Sequence, residues 1–508
     1  MQINPSLPIF EFSRLPKLSR LAWCAQIKAG ERMAQLDCGS LVEEIPNGFA
    51  AGAWDGDYRE DAPDHSATLA GSAGRALADG FVFAAPSHTL EWLQYVRVGN
   101  TLYISNSLPL LLAETDDGPD LAYPDYFFDL LETYRAGLSK PPRSLPTAHG
   151  RWINLVVARN LHVGRDLSVT VKDKPETPAP ECFEDVRDFL QHSVNVVVDN
   201  ARDPRREHPF RPRVTVSRGY DSVAVAALAA KAGCLHGLTF RTSSIPGGGW
   251  AWDNGRAIGE ALGMTVDEYA REKLALLQGH RDAEFYIDSH AGTDKNFLLF
   301  FNGIEGALFM TGRSGENCWS LEHGSCQPAL QEPSATLMSG ASLIEFALCA
   351  GFLHFPVPAC GAIHAPALDR ISRSPEMQPW QIGGNYDRPI PRRIAEEAGV
   401  PRAAFGQRKH AGAGKHIGHR LSKESREDLR GFLVGVVPKI PSHNPLIGWL
   451  PRRRRRALHH AELWLRAGSR SQCWLAKLIG NRFHPRWRNR FSYTFHWGLT
   501  RTTERYAV

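Results

Sequence analysis

Ser217, Gly219, Asp221 and Ser222 fall within six residues of the stretch VTVSRGYDSVAVAALAAKAG. Val214-Thr215-Val216 has the β-branched composition of a strand, and the alanine-rich run that follows ends at Gly233. The pattern predicts a strand, a tight loop and a helix from Ser222 to Ala232. A helix start offers outward N–H groups and the positive end of a dipole, which suit an anion. Gly219 permits close backbone approach. Ser217 and Ser222 can donate hydroxyl hydrogens to phosphate oxygens. Asp221 would repel a bare phosphate, so it asks for a divalent cation between them. Mg²⁺ held by one or two carboxylates together with nucleotide phosphates meets that need.

Other nucleotide motifs are absent. AGAGKH at 411–416 lacks the spacing and the final Ser or Thr of a Walker A loop, and GSAGRALADG is not set in a strand–helix unit. HIGH at 416–419 and His459-His460 lack partners at metal-ligand spacing, so no zinc site is expected.

The elements around the loop follow from periodicity. CFEDVRDFLQHSVNVVVDNA has helical spacing. LHGLTFRTSS reads as a second strand, DNGRAIGEALG as a helix closed by Gly263, and GALFMTG as a further strand entering TGRSGENCW. Alternation of this kind predicts an α/β fold with a mostly parallel sheet, whose ligands sit at the carboxyl ends of strands. Upstream, residues 1 to 175 are β-rich. VGNT marks a turn, strands are expected around Arg159-Asn160, and KDKPETPAPE is the best linker.

SRGYDSVAVAALA resembles the SGGxDS pyrophosphate loop of the N-type ATP pyrophosphatases. It is most similar to that of the asparagine synthetases and their relatives, the β-lactam synthetases and lasso-peptide cyclases. DNGRAIGEALGMTVDEY, LFMTGRSGENCW and DRPIPRRIAEEAGVPRAAFGQRKHA resemble later segments of that family, in its order, over roughly residues 180 to 415. The resemblance implies an Ntn-like αββα sandwich over 1–175, resembling a class II glutamine amidotransferase domain. A parallel-sheet adenine nucleotide α-hydrolase-like (PP-loop) domain over 181–440 and a basic extension over 441–508 would follow.

The resemblance also implies roles. Ser217, Arg218, Gly219, Asp221 and Ser222 would hold ATP phosphates, with Gly312 and Gly315 in the second loop. Asp221 and Glu316 would hold Mg²⁺, and Lys409 would stabilise charge at the reacting centre. Asp253 falls at an acidic position of the family and is equally read as a helix N-cap. Three residues depart from the pattern. Arg218 replaces a glycine, and either adds charge beside phosphate or blocks the backbone approach. Arg313 stands where an acid is common, and Asn317 replaces a Glu.

The family's glutaminase half uses an N-terminal Cys. This sequence reads Met1-Gln2, and its nearest cysteines are Cys24 and Cys38. The expected activity is therefore ATP-dependent amide formation through an acyl-adenylate, joining a small-molecule or peptide carboxylate to an amine without glutaminase chemistry. The alternatives are an ammonia-dependent asparagine synthetase and a nucleotide-binding pseudo-enzyme.

Nine Cys without a CxxC pair, and no signal-peptide pattern, lead to an expectation of a reducing, cytoplasmic setting. Residues 452–508 hold 14 Lys/Arg against 2 Asp/Glu, leaving 45 against 52 in the remainder. Such a basic tail can meet an acidic partner or the inner face of an anionic membrane, and nucleic acid is not expected as the partner.

Overall fold

The computed structural model describes residues 7–123, 125–136, 141–244, 250–277, 282–287, 292, 294–319, 340–383, 386–407, 421–436 and 485–507. It is a mixed α/β protein with several sheets.

Among the described residues, the first 175 form thirteen strands. They are β1 (Ile9–Arg14), β2 (Trp23–Lys28), β3 (Met33–Cys38), β4 (Glu43–Ile45), β5 (Gly48–Trp54), β6 (Leu69–Leu77), β7 (Gly80–Ala84), β8 (Leu93–Val98), β9 (Thr101–Ser105), β10 (Leu145–Pro146), β11 (Trp152–Val156), β12 (Arg159–Gly164) and β13 (Val169–Asp173). They make a seven-stranded sheet, β1-β3-β2-β9-β8-β11-β10, and a six-stranded sheet, β13-β12-β7-β6-β5-β4. Alternation of side chains sends Trp23 from the first sheet onto Phe49 and Phe83 of the second, with centroids 4.8 and 5.7 Å away. Its indole N–H donates to Ser72 Oγ across the gap at 2.9 Å. On the opposite face of β2, Gln26 reaches Glu114 of the Leu108–Glu114 helix at 3.2 Å. The Phe183–Ala201 helix packs on β5 of the other sheet. The order of layers is helix, sheet, sheet, helix.

Two local expectations change. The strands near Arg159 turn at Ala158, whose φ is +49°, so β11 and β12 enter different sheets. The final helix, Pro485–Ala507, is no detached appendage. Phe495, Trp497, Leu499 and Tyr506 are buried, and Arg501 and Arg505 pair with Asp428 and Glu284. Phe495, Leu499 and Tyr506 join one core and Trp497 another, so apolar packing on more than one side holds this helix.

The second half carries a five-stranded, wholly parallel sheet of β14 (Arg211–Thr215), β15 (His236–Phe240), β18 (Thr265–Tyr269), β19 (Ala307–Thr311) and β20 (Leu353–Pro356). A small hairpin, β16 (Thr242–Ser244) and β17 (Trp250–Trp252), lies between β15 and β18 in the chain. The sheet order is β18-β15-β14-β19-β20. It grows outward from β14 first to one side and then to the other, so the order reverses beside β14. A crevice opens at the carboxyl ends where such a reversal occurs. Among the described residues, no helix is long and apolar enough to cross a membrane.

Candidate active site

The loop Val216–Gly219 leaves the carboxyl end of β14, beside that reversal. The helix after it spans Tyr220–Lys231, so it starts two residues earlier than the sequence pattern suggests. Asp221 and Ser222 therefore lie in its first turn. Tyr220 is fully buried and anchors that turn, an effect of packing that propensity does not carry. Gly233 and Gly263 take φ of +82° and +75° after their helices, as their placement in the sequence predicts.

The loop is held from three sides. Ser217 Oγ lies 2.6 Å from Ser222 Oγ and accepts from Gly219 N–H at 3.2 Å. Arg218 N–H donates to Asp253 Oδ1 at 2.9 Å. Asp253 is thus not a helix N-cap, because the Arg256–Ala261 helix is capped at Gly255. Its buried carboxylate fixes the loop instead. Arg218 Nε donates to Ala404 O at 3.1 Å, and Gly406 N–H donates to Arg218 O at 2.8 Å. The Arg218 side chain is turned toward the 404–406 segment. Lys409 lies outside the described residues, and the described chain on this side ends at Gln407.

The second loop follows β19 and presses directly on the first. A Cβ on Gly312 would stand 2.6 Å from the Asp221 carbonyl carbon, and one on Gly315 would stand 2.6 Å from Asp221 Cγ. Both positions are closed to any side chain, which gives the two glycines a packing reason. Gly219 differs. Its φ is −83°, and an added Cβ would meet only ordinary contacts at 3.6 and 3.8 Å. Glu316 lies in the Gly315–Cys318 turn at the same edge. Arg313 points away, into an ion pair with the fully buried Asp294 at 2.7 Å.

Sequence reasoning missed three residues that complete the site. Trp319 Nε1 donates to Asp221 Oδ1 at 2.6 Å. Arg388 Nη1 donates to Asp221 Oδ2, and its Nη2 lies 3.9 Å from Glu316 Oε2. Arg392 Nη2 donates to Tyr220 OH. Arg388 is the N-cap of the Pro389–Glu397 helix and Arg392 lies in its first turn, so the start of that helix brings both arginines to the loop. Burial opposes the charge of Arg388, but the Asp221 carboxylate outweighs it and holds the guanidinium above its ordinary pKa. Tyr386 stacks near Arg388 and Tyr220, and burial, with Asp221 adding to it, pushes its phenol upward.

Asp221 and Glu316 offer hard oxygen donors at one edge, which suits Mg²⁺. The residues fit the cation, with Arg388 as an additional positive group beside it.

Cys24 and Cys38 lie in β2 and β3 with no exposed surface. Burial lifts the Cys24 thiol well above its ordinary pKa and Cys38 to about 11. In the native protein neither should react with iodoacetamide at pH 8, whereas both should react in denaturant. Peptide mass mapping checks this, and rapid native labelling of Cys24 would contradict it.

No family model matches this chain, and no curated protein matches it.

Proposed function

We propose that the protein is an ATP-dependent carbon–nitrogen ligase resembling the asparagine synthetases, which joins a carboxylate to an amine through an acyl-adenylate. One observation carries the reading. The Ser217–Ser222 loop leaves β14 at the reversal of strand order, and Gly312 and Gly315 let the Glu316 loop close onto Asp221 there. The parallel sheet suits a PP-loop domain, and the two stacked sheets of the first half suit an Ntn-like sandwich, its second helical layer being the Phe183–Ala201 helix from beyond residue 175. Gly219 adds support, since a glycine that the fold does not itself require is what a closely approaching phosphate would need.

In this reading a carboxylate oxygen attacks the α-phosphorus of ATP and the bond to the pyrophosphate oxygen breaks. The amine then attacks the acyl carbon, and AMP leaves. Ser217 and Ser222 donate to the β- and γ-phosphates at the helix start, while the Arg218 N–H is committed to Asp253, which fixes the shape of the loop. Asp221 and Glu316 would hold Mg²⁺, which supplies neutralisation of the departing pyrophosphate. Lys409 is proposed to stabilise charge at the reacting centre. The burial of Cys24 and Cys38, the cysteines nearest the start of the sequence, supports an amine supplied by a substrate or as free ammonia.

Calorimetric titration with Mg-ATP tests the reading. Wild type should bind, and Asp221→Asn and Glu316→Gln should each weaken binding at least about tenfold, as loss of a charged ligand does. No binding to folded wild type at millimolar Mg-ATP would sink it. Aspartate supplied with ammonia, followed by ATP–pyrophosphate exchange, separates an asparagine synthetase from a ligase with another acid. The Arg388 contact with Asp221 favours a second reading, a nucleotide-binding protein without turnover. Binding with no exchange across a panel of carboxylates would select it.

A further inference from the structure

We propose that Arg388 is the resident counter-ion of the Asp221–Glu316 pair, a positioning residue that makes divalent-cation binding conditional on the nucleotide. The nucleotide part rests on the ligase reading above; the counter-ion part does not.

The geometry has a direction. The Arg388 side chain is 2% exposed, that of Asp221 23% and that of Glu316 44%. A cation arriving from solvent meets the carboxylates, while the guanidinium sits behind them. Asp387 sets this placement. Its carboxylate accepts from Ile382 and Gly383 N–H at 3.0 and 2.9 Å, which turns the chain so that Arg388 opens the Pro389–Glu397 helix. Tyr386 flanks the guanidinium, with the ring centroid 5.2 Å away. Arg388 Nε is buried with no hydrogen-bond partner among the described residues. The side chain is therefore held by its bond to Asp221, with Glu316 at ion-pair distance, rather than by a complete set of hydrogen bonds.

The charge balance gives the consequence. Two carboxylates beside one guanidinium leave a single net negative charge. Mg²⁺ gives up its water reluctantly, and such a site offers little to compensate it. Nucleotide phosphates add the missing negative charge, so cation and nucleotide enter together. Without Arg388, two facing carboxylates at the cleft edge would repel each other or capture a metal alone. An arginine suits the place because its rigid planar fork presents separate donors toward each carboxylate in a fixed geometry.

The test is Mn²⁺ binding to the full chain without nucleotide, read from the free-ion electron spin resonance signal. Arg388→Met should bind Mn²⁺ at least about tenfold tighter than wild type, since a unit charge a few ångströms from the metal has been removed. Mn²⁺ alone should also raise the melting temperature of Arg388→Met and leave that of wild type nearly unchanged. Adding Asp221→Asn should cancel the gain. A folded Arg388→Met with wild-type Mn²⁺ affinity would overturn the proposal. Should that variant not fold even with Mn²⁺, Arg388→Gln decides. It keeps a polar donor at the site but removes the charge, so several-fold tighter binding supports the proposal and equal affinity overturns it. Mn-ATP is titrated in parallel. Failure of wild type to bind Mn-ATP would sink the ligase reading, and the comparison with Mn²⁺ alone would still decide the role of Arg388.

Discussion

Arg206→Ala should destabilise the protein by about 3–5 kcal/mol, the range found when one partner of a buried ion pair is removed. Arg206 and Glu43 are 0% and 1% exposed and form an ion pair that joins the six-stranded sheet to the segment leading into β14. Arg206 also donates to Gly52 O at 2.9 Å, Asn200 Oδ1 at 2.7 Å and Asn200 O at 2.7 Å. Trp54, Tyr58 and Phe210 surround the guanidinium at 5.6, 4.3 and 5.5 Å. Truncation would leave the Glu43 carboxylate buried without its counter-charge, with only the neutral donors His208 N–H, at 3.0 Å, and the Tyr58 hydroxyl among the described contacts. Chemical denaturation of wild type and variant measures the loss. Glu43→Gln combined with Arg206→Met should lose less than Arg206→Ala, because no net charge then stays behind. A loss under about 1 kcal/mol for Arg206→Ala would mean that water reaches Glu43 and that the pair is not the tie described.

The same pair shows what kind of information the sequence holds. Glu43 and Arg206 are 163 residues apart, and each looks like an ordinary surface charge in its own context. Nothing local distinguishes them. The Ser217–Ser222 loop is different, because its chemistry is written in adjacent residues whose conformation is set by the strand and helix on either side. The parallel sheet was legible for a related reason: apolar strands alternating with small-residue helices leave few other topologies. The helix start was misjudged because Tyr220 reads as a loop aromatic until Arg392 and Phe405 are seen to enclose it.

Asp253 was legible as a residue that matters and illegible as to why. Its position before a helix suggested capping, whereas its carboxylate turns back to the first loop through Arg218 N–H. Trp319 and Arg388 were missed for a physical reason. They reach Asp221 from elements about 100 and 170 residues downstream, and only the crossing of the two loops over β14 brings them together. Charge counting carries no information on where the last helix packs, because its buried Phe495, Trp497, Leu499 and Tyr506 set that.

That last helix also creates a pH-dependent junction. Glu345 lies in the Ile344–Ala350 helix and is buried between the two halves. It accepts from Ser107 Oγ at 2.7 Å and from Tyr506 OH at 3.0 Å, and the same Tyr506 hydroxyl lies 2.8 Å from Ser19 Oγ. Burial pushes its carboxyl from 4.5 up to about 7, Ser107 works against the shift, and nearby Glu284 adds to it. A raised folded-state pKa means that the native state holds its proton more tightly than the unfolded chain. Below pH 4.5 both states are protonated and Glu345 costs nothing. From pH 4.5 to about 7 the unfolded chain releases the proton first, so this contribution to stability falls as pH rises. Above pH 7 the loss levels off near 3 kcal/mol, on the order of 1.4 kcal/mol for each pH unit of the window. His88 and His354 act in the opposite sense, since burial lowers them to about 4 and about 3 and their contribution grows as pH rises toward 6.5. Wild type alone would blend these trends, so the informative quantity is the difference from Glu345→Gln. The variant should be near neutral at pH 5 and more stable than wild type by roughly 1–3 kcal/mol at pH 8, once the altered bonds to Ser107 and Tyr506 are allowed for. Thermal unfolding across pH 5 to 8 reads it directly. A difference that does not change with pH would mean that the Glu345 carboxyl titrates as in water, and that the junction of Ser19, Ser107 and Tyr506 is open to solvent.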